Sequence, residues 1–370
     1  MKENLLEDKM KEIEPIIKQF LFDGTYRESI AYGAGHINDT YRLTFQKGKE
    51  TNRYILQKMN PGIAEDMDLL MDNIERVTKH IKGKNRQQTP MLIPTKASKN
   101  YYRTKTGECY RAFVFIEHAK SYDEAQSEHH MRECGRILGM FEKDLMDFTF
   151  DPKYVEMTKN FHDTRYRYEK LMQAVETDAF GRVKEAVDEI RFFIQRQELY
   201  GQLLTLVERE RIPVRATHND LRINNILIDS REQKGAALID LDTVMPGLAA
   251  YDYGDAIRSA AKRVYYKDGK IESVEFLPHL AAAFTKGYLE EAREILTKEE
   301  IETLPLGIRT MSLELGMRYL TDYLNGDVYF KKNKDGKNLE NARREIAFTK
   351  QVEQYQKELE QMVVRDQTSK

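Results

Sequence analysis

Cysteine is scarce in this 370-residue sequence, which contains only Cys109 and Cys134. Two cysteines are too few for a disulfide framework, and they lack the paired spacing of a zinc site. The sequence also has no apolar run of about 18 residues, which excludes a transmembrane helix. The amino-terminal segment MKENLLEDKMKEIEPII is densely charged, so we expect no signal peptide.

Charge of either sign is not in excess. Lysine and arginine number 59 and aspartate and glutamate number 61, which leaves a net charge of −2. This balance argues against a general nucleic-acid binder and against a polybasic membrane protein, so we expect neither partner. Hydrophobic residues make up 41% and charged residues 32%, a mixture that suits a folded core rather than a disordered chain. These limits predict a soluble, cytoplasmic globular protein.

The amino-terminal third reads as a small antiparallel sheet interrupted by one helix. An amphipathic helix is predicted within the first twenty residues, and a second over about 64–82. β-prone segments, some of them bounded by glycine or charged turns, are predicted as strands. They cover residues 29–32, 39–46, 53–59 and 110–116.

Beyond about residue 116 the pattern becomes helical. Long charged segments with helical periodicity predict helices over 128–143, 161–176 and 182–209. Two short strands are expected within 214–242, and the remainder is predicted to be helical. Because domains usually hold roughly 100–200 residues, we expect two lobes, 1–116 and 117–370. The predicted fold class is α+β, with a small antiparallel sheet in the first lobe and a mostly helical second lobe.

The most informative stretch is ATHNDLRINNILIDSREQKGAALIDLD, residues 216–242. It contains the pattern H-x-D-x-x-x-x-N, formed by His218, Asp220 and Asn225. An apolar run, a polar turn and a second apolar run follow, and the second run ends at Asp240, with Asp242 two residues later. Two short strands joined by a polar turn predict a hairpin, which would bring Asn225 close to Asp240.

This spacing matches the needs of phosphoryl transfer. That reaction needs a carboxylate to accept the proton of a hydroxyl, a role that we assign to Asp220. Oxygen ligands must hold Mg²⁺ on the nucleotide, and Asn225 and Asp240, together with Asp242, would supply them. Arg222 would neutralise charge on the transferred group. The alternative is a surface loop with a capping aspartate, but the added hairpin and Ile-Asp pair favour catalysis.

The segment resembles the catalytic loop of the aminoglycoside phosphotransferase and choline kinase superfamily, which shares the protein-kinase-like fold. Three longer strings resemble one branch of it, the N-acetylhexosamine 1-kinases. They are GAGHINDTY at 33–41, DLDTVMPGLAAYDYGDAIRSAA at 240–261 and GMRYLTDYLNGDVYF at 316–330. Leu248 and Ala249 depart from the wider family's G-D-P-x-x-D stretch. The resemblance implies a bilobal kinase that uses ATP and Mg²⁺ to convert an N-acetylhexosamine to its 1-phosphate.

The turn at Gly33 and Gly35, followed by Asn38, joins two predicted strands as a phosphate-covering loop would. Glycines allow backbone N–H groups to approach phosphates closely, although an ordinary hairpin turn gives the same pattern. With the catalytic loop present we favour the nucleotide interpretation. The resemblance implies that His36, in the same turn, contacts the sugar.

The cation that contacts the nucleotide phosphates is ambiguous in the sequence. Alternation along residues 53–59 points either Gln57 or Lys58 towards the nucleotide. Lys58 is the available cation, and Glu75 on the following helix is the expected partner, unless it is only a solvated helix charge. The linker after residue 116 is predicted to be the hinge, where backbone groups around Ile116 and His118 would pair with adenine.

The resemblance also implies that Arg318 and Tyr329 contact a sugar hydroxyl or the N-acetyl group. An arginine is a forked donor and a tyrosine offers a ring face and a hydroxyl, which suits this role. The alternative is a helix end packed by neighbouring aromatic residues. We expect Asp252 to hold the catalytic loop by hydrogen bonds rather than to touch the substrate.

Two other functions remain open at this stage. One is another small-molecule kinase of the same fold, acting on an aminoglycoside, choline or another sugar. The absence of a clear acidic run in the second lobe argues against a polycationic acceptor. The other is a nucleotide-binding regulatory module without catalysis, which the presence of Asp220, Asn225 and Asp240 disfavours. The residues make no prediction of oligomeric state.

Overall fold

The chain divides into two compact units. The computed structural model describes residues 13–33, 38–60, 62, 64–84, 89–268, 270–330 and 336–365. The first unit runs to His118 and includes the short segment Asp151–Met157. The second unit consists of Ala119–Phe150 and the residues from Thr158 onwards. Whether the lobes predicted to meet at 116/117 are independent domains stays a prediction.

The first unit is built on a five-stranded antiparallel sheet in the order β1-β2-β3-β5-β4. Its strands are β1 Thr25–Ala31, β2 Asp39–Lys47, β3 Glu50–Met59, β4 Tyr102–Arg103 and β5 Cys109–Val114. Helix α1, Met67–Lys84, follows β3, and its apolar side is buried. Alternating residues on one face of the sheet, including Leu43, Leu56 and Ala112, are completely buried. They form a core with apolar side chains that precede β1, among them Phe20.

The second unit is mostly helical. Its helices are α2 Glu128–Asp144, α4 Thr164–Thr177, α5 Val187–Ile194, α6 Gln202–Glu208, α7 Ala249–Ala260, α8 Pro278–Ala292, α9 Lys298–Leu324, α10 Lys337–Gln354 and α11 Gln356–Arg365. Helix α3, Pro152–Met157, belongs to the first unit. Three small sheets complete the unit. Their strands are β6 Ala119–Lys120, β7 Arg215–Thr217, β8 Ile226–Asp229, β9 Gly235–Leu238, β10 Met245–Gly247, β11 Lys262–Lys267 and β12 Lys270–Phe276.

The two helices behind the catalytic-loop segment, α7 and α9, approach each other unusually closely. A Cβ atom on Gly254 would lie 2.3 Å from the backbone of Gly307, and one on Gly307 would lie 1.9 Å from the carbonyl oxygen of Ala250. Any larger residue at either glycine would therefore push the helices apart. Helix α9 begins with a capping box, in which the Thr297 hydroxyl accepts from the Glu300 amide and the Glu300 carboxylate accepts from the Thr297 amide.

Two predictions about the second unit are wrong. The segment 182–209 is not one helix but two short α-helices with 3₁₀ turns, and it breaks before α6 at Gly201, where φ is +75°. A Cβ atom on Gly201 would also collide with the Arg165 side chain, so only glycine fits this break. The β11–β12 hairpin was expected to be helical. Its Asp-Gly turn after Lys267 was the available signal.

The predicted fold class is confirmed, because a small antiparallel sheet precedes a mostly helical region. The predicted strand segments at 39–46, 53–59 and 110–116 coincide with β2, β3 and β5 to within a few residues. Among the residues that the structure describes, no helix has the length and apolar character to cross a membrane.

Candidate active site

The catalytic-loop segment begins where β7 ends. Strand β7 pairs with β10, and their register places Thr217 opposite Met245 and Arg215 opposite Gly247. A Cβ atom on Gly247 would lie 2.2 Å from the Thr217 hydroxyl and 2.5 Å from the Asn219 side-chain oxygen. The absence of a side chain at this position therefore lets the strand pass directly against the loop.

Asn219, the residue before the candidate base, has a left-handed conformation with φ at +62°. Its side-chain Nδ2 donates to the carbonyl oxygens of Thr217, Thr243 and Met245 at 3.1, 3.2 and 3.1 Å. Asparagine tolerates the left-handed region better than most residues. These contacts hold the loop in a conformation that would otherwise be strained.

Asp252 on α7 anchors the same loop from the opposite side. Its carboxylate accepts the backbone N–H groups of His218 and Asn219 at 2.6 and 2.7 Å. Burial raises the pKa of Asp252 to about 6, although His218 and these two N–H groups act in the opposite direction. The expectation that Asp252 holds the loop is confirmed.

His218 connects the loop to the end of β9. Its Nε2 lies 2.9 Å from the carbonyl oxygen of Ile239, and its Nδ1 accepts the Asp220 N–H at 3.4 Å. A carbonyl oxygen can only accept, so Nε2 carries the ring proton. The completely buried ring thus links the loop to the residue before Asp240 by hydrogen bonds.

The candidate base and the candidate phosphoryl-neutralising cation form an ion pair. Arg222 Nε lies 3.3 Å from the Asp220 carboxylate, whose side chain is about one-third exposed. The surrounding protein desolvates Asp220 and raises its pKa, and the Arg222 guanidinium opposes that shift. The pair therefore presents a carboxylate that can accept a proton beside a cation that can face an anionic group.

The three predicted metal ligands flank one end of the β8–β9 hairpin. The Ile239 amide donates to the Asn225 carbonyl at 2.9 Å, so Asn225 lies beside the residue that precedes Asp240. The Asn225 Nδ2 donates to the Asp220 carbonyl at 2.8 Å, which ties this side chain to the catalytic loop. Asp240 has φ at +63°, and Asp242 is almost fully buried.

This donor set fits a magnesium site that the nucleotide would complete. Within the described ranges, no three acidic, histidine or cysteine side chains group closely enough to hold a metal alone. Mg²⁺ usually takes one or two carboxylates and fills its other positions with phosphate oxygens and water. An amide oxygen at Asn225 and carboxylates at Asp240 and Asp242 are ligands of that kind.

In the first unit, the structure describes only part of the predicted phosphate loop. Gly33 has φ at +78°, a conformation that favours glycine, and no atom of the described residues lies within 4 Å of the position that its Cβ would occupy. The Asn38 side-chain oxygen accepts the Asn60 amide at 2.9 Å. Gly35 and His36 lie outside the described residues.

The expected Lys58–Glu75 ion pair is not formed. Lys58 shares the face of β3 that carries Leu56, and its ammonium group pairs with Glu108. Glu75 instead pairs with Lys79 and accepts a hydrogen bond from Asn100 at 2.8 Å. Glu75 is therefore bound to neighbours on its own side of the unit, and the prediction of this pair is wrong.

The opposite face of the sheet, which carries Gln57 of β3, also carries a cation on β5 that the sequence reasoning missed. Arg111 on β5 is only 1% exposed, and its Nε donates to the Gln57 side-chain oxygen at 2.9 Å. Gln57 in turn donates to the Thr40 hydroxyl at 3.2 Å. The strand pairing of Gln57 with both neighbours places all three polar side chains on one face. Alternation from Phe113 along β5 was the signal for Arg111.

The predicted hinge follows β5 directly. The Phe115 amide donates to the Arg53 carbonyl at 3.1 Å, and Arg53 pairs with Glu117 at 2.8 Å. Ile116 is half-buried between these residues, and His118 has φ at +60°. The segment therefore continues alongside β3 and ends at a left-handed residue.

The structure brings the two predicted sugar contacts together. Arg318 Nη2 donates to the Tyr329 hydroxyl at 3.1 Å, and the guanidinium also lies over the Tyr329 ring, which is mostly exposed. Desolvation lowers the pKa of Arg318, but Glu314 and Tyr329, with a contribution from Asp220, more than offset it. Arg318 therefore lies within electrostatic reach of the candidate base.

A cavity of about 690 Å³ opens beside the Asp220–Arg222 pair. Arg222 lines it, and so does Tyr319, the residue after Arg318. Its lining carries charges of both signs. The cationic residues are Arg222, Arg258, Lys262, Arg263 and Arg344, and the acidic residues are Asp123, Glu124 and Glu128. The space is large enough for a small organic acceptor.

Sequence reasoning missed two buried residues that contact this region. His162 lies 2.9 Å from the carbonyl oxygen of Asn219 and 3.8 Å from the Glu314 carboxylate. Glu314 also faces Arg318 at 3.5 Å. No local pattern marked either one, because a lone histidine and a helix glutamate acquire these partners only through packing.

Comparison with known proteins agrees with this geometry. The family model described as the phosphotransferase enzyme family matches residues 29–295, which is most of the chain. Among solved structures, an aminoglycoside phosphotransferase from Alicyclobacillus acidocaldarius is 15% identical, with a TM-score of 0.59, over 93% of this chain and 94% of that chain.

Two further structures are similar over nearly the whole chain. A microcompartment-associated aminopropanol kinase is 14% identical, with a TM-score of 0.62, over 95% of this chain and 98% of that one. An amicoumacin kinase, in a complex with AMP-PNP and Ca²⁺, is 13% identical, with a TM-score of 0.60, over 99% and 96% of the two chains. Identities this low establish a shared fold.

Proposed function

We propose that this chain, which belongs to the phosphotransferase enzyme family, phosphorylates the anomeric hydroxyl of N-acetylhexosamines with Mg·ATP. The products would be the sugar 1-phosphate and ADP. The observation that carries the proposal is the catalytic loop, where Asp220 and Arg222 pair at 3.3 Å and Asn225 adjoins the end of the hairpin that leads to Asp240.

Asp220 would accept the proton of the anomeric hydroxyl while the sugar oxygen attacks the γ-phosphorus of ATP. The bond between the γ-phosphorus and the oxygen of the β-phosphate would break, and ADP would leave. An anomeric hydroxyl is more acidic than an ordinary alcohol, so a carboxylate with a modestly raised pKa suffices. Arg222 would exchange its contact with Asp220 for the transferred phosphoryl group. Positioning and charge neutralisation would supply most of the acceleration.

Asn225, Asp240 and Asp242 are the proposed holders of Mg²⁺. When bound, the ion would neutralise charge on the β- and γ-phosphate oxygens. In the first unit, the proposed nucleotide contacts are Gly33, Gly35, Asn38, Ile116 and His118, with Lys58 as one candidate for the phosphate-binding cation. The pairing of Lys58 with Glu108 makes Arg111, on the other face of β3, the second candidate for the phosphate-binding cation.

The sugar is the favoured acceptor for three reasons. Arg318 and the Tyr329 hydroxyl form one hydrogen-bonding surface, which suits sugar hydroxyls or an N-acetyl oxygen, and His36 is a third proposed contact. The cavity lining carries more cationic than acidic side chains, whereas an amine-rich acceptor would need an acidic surface. The strings shared with the hexosamine kinases support the same choice.

The direct test is ADP release with Mg·ATP and a panel of acceptors. N-acetylglucosamine and N-acetylgalactosamine would be compared with glucose, galactose, choline, aminopropanol and kanamycin. We expect release only with the N-acetylhexosamines and a phosphorylated product that acid hydrolyses readily, as an anomeric phosphate would be.

The matched variant is Asp220→Asn, which keeps the size of the side chain and removes the base. We expect turnover to fall by about 10²-fold or more, with an unchanged unfolding midpoint. Release with choline or kanamycin instead would retain the kinase and reject the sugar contacts. Turnover of the Asn variant within about threefold of the parent would reject Asp220 as the base.

A further inference from the structure

We infer that His162 is a positioning residue of this active site, whose ring donates a hydrogen bond to the peptide bond preceding the base. The inference rests on the proposed function, since it assigns a role relative to Asp220. It concerns a residue in the second unit that lies just before α4 and is 7% exposed.

The donor role follows from the contact with the catalytic loop. His162 Nε2 lies 2.9 Å from the carbonyl oxygen of Asn219. A carbonyl oxygen only accepts hydrogen bonds, so Nε2 must be the donor. That carbonyl belongs to the peptide bond between Asn219 and Asp220. The histidine therefore fixes the plane of the peptide from which the candidate base projects.

The other ring nitrogen faces a buried carboxylate. Nδ1 lies 3.8 Å from the Glu314 carboxylate and has no hydrogen-bond partner within the described part of the chain. Arg318, His162 and Arg167 outweigh burial and lower the pKa of Glu314 to about 2, so this carboxylate is ionised. The hydrogen bond from Nε2 is therefore the contact that orients the ring.

Residues of three helices surround the ring. Glu314 on α9 faces Nδ1, and Arg167 on α4 places its Nε 3.2 Å from Glu314. The ring of Tyr251 on α7 lies 5.2 Å from the histidine ring, and that of Phe161 lies 4.7 Å from it. These neighbours keep the donor aimed at the Asn219 carbonyl.

This arrangement joins the base to the proposed sugar contact. Glu314 lies 3.8 Å from His162 on one side and 3.5 Å from Arg318 on the other, and Arg318 reaches the Tyr329 hydroxyl. One buried carboxylate thus adjoins both the histidine that orients the Asp220 peptide and the arginine proposed to bind the sugar.

Two variants separate the two nitrogens. In His162→Gln the side-chain amide nitrogen reaches the Nε2 position and keeps the donor to Asn219. In His162→Asn the amide reaches only the Nδ1 position, and the Asn219 carbonyl loses its partner. We expect the Asn variant to lower kcat by about 10-fold to 10²-fold, with the KM for ATP within about twofold, because the base is misplaced. The Gln variant should recover about 10-fold of that loss.

The matched control is His129→Asn. His129 also places its Nε2 near a backbone carbonyl, 2.8 Å from that of Gln233, but this contact is exposed and lies at the turn between β8 and β9 rather than next to Asp220. We expect kcat to stay within about twofold of the parent. A comparable loss in the control would mean that removing any histidine is harmful.

The donor role has its own measurement. In protein labelled with ¹⁵N-histidine, Nε2 of His162 should show the shift of a protonated nitrogen, as a donor to the Asn219 carbonyl requires. An Nε2 without a proton, or a Gln variant as impaired as the Asn variant, would overturn the inference.

The NMR result does not depend on the acceptor. If no N-acetylhexosamine is phosphorylated but Nε2 carries its proton, the proposed function fails and the structural half of the inference stands. If sugar phosphorylation is found with an unprotonated Nε2, the inference fails and the function stands.

Discussion

Glu314 on α9 and Glu345 on α10 are two buried carboxylates with similar immediate surroundings. They are 1% and 0% exposed, and each faces three side chains that can carry positive charge. For Glu314 these are His162, Arg167 and Arg318, and for Glu345 they are Arg258, Lys262 and Arg344. Burial alone would raise both pKa values, but the cations outweigh it and lower each to about 2.

The two clusters differ in what their cations touch next. From Glu314, His162 leads to the Asn219 carbonyl and Arg318 leads to the Tyr329 hydroxyl. From Glu345, all three cations lead to the wall of the cavity beside Arg222. The same electrostatic arrangement therefore serves the catalytic loop in one place and shapes the proposed acceptor space in the other. Because the cations around the two glutamates are alike, the role of each glutamate depends on what those cations contact next.

The largest expected effect comes from removing one carboxylate at a time. Glu314→Gln and Glu345→Gln each leave buried cations without compensation, so each should lower the free energy of unfolding by about 3–5 kcal/mol. Among molecules that remain folded, Glu314→Gln should lower kcat by about 10-fold or more, because the support of the Asp220 peptide is lost. Glu345→Gln should chiefly raise the acceptor KM. Urea titration and steady-state kinetics would measure these effects.

An exposed glutamate, in Glu358→Gln, is the control, and its unfolding free energy should change by less than about 0.5 kcal/mol. Equal losses of kcat in Glu314→Gln and Glu345→Gln would contradict the comparison. That outcome would mean that both clusters act on the loop through general stability.

The second expected effect is on acid unfolding. The folded pKa of each glutamate is about 2, against 4.5 for an ordinary glutamate, so each favours folding above about pH 4.5. As pH falls from about 4.5 towards 2, native carboxylates must be protonated and the stabilisation, about 3 kcal/mol for each, is lost. In each Gln variant the free energy of unfolding should fall less steeply across this range than in the parent. Parallel pH dependences would refute the depressed pKa values.

The elements that sequence reasoning located are those whose signals are local. Strands β2, β3 and β5 follow from alternation, and the spacing of Asp220 and Asn225 placed the loop before a hairpin that the structure contains. Asp252 was identified as a loop anchor from its place in the stretch after the candidate metal aspartates, which resembles the wider family's pattern. Local periodicity and turn chemistry suffice for features of this kind.

What the sequence did not reveal depends on packing between distant segments. His162 and Glu314 contact each other across about 150 residues of chain, and nothing near either one marks a partner. The Lys58–Glu75 pair was expected from kinase geometry, yet β3 turns Lys58 towards Glu108. The prediction of a single helix over 182–209 was wrong because helical periodicity does not show where a glycine such as Gly201 interrupts the helix.

The smallest expected effect separates the cations of the Glu345 cluster. Burial lowers the pKa of Lys262 to about 8 from 10.5, although Glu345 acts in the opposite direction. Between these pH values Lys262 binds more protons in the unfolded chain than in the native one, so its contribution to the free energy of unfolding should grow as pH rises from about 8 to 10.5, by up to about 3 kcal/mol. The parent should therefore gain stability relative to Lys262→Met over this range, which urea unfolding of both proteins at pH 7, 8.5 and 10 would detect.

The control for this change is Lys234→Met, which removes a lysine whose side chain is 62% exposed and pairs with Glu232. It should follow the pH dependence of the parent. At pH 7 the Met variant at 262 should lie within about 1 kcal/mol of the parent, because two arginines still compensate Glu345 and a costly buried ammonium group is gone. A loss as large as that of Glu345→Gln would mean that the three cations act as one unit.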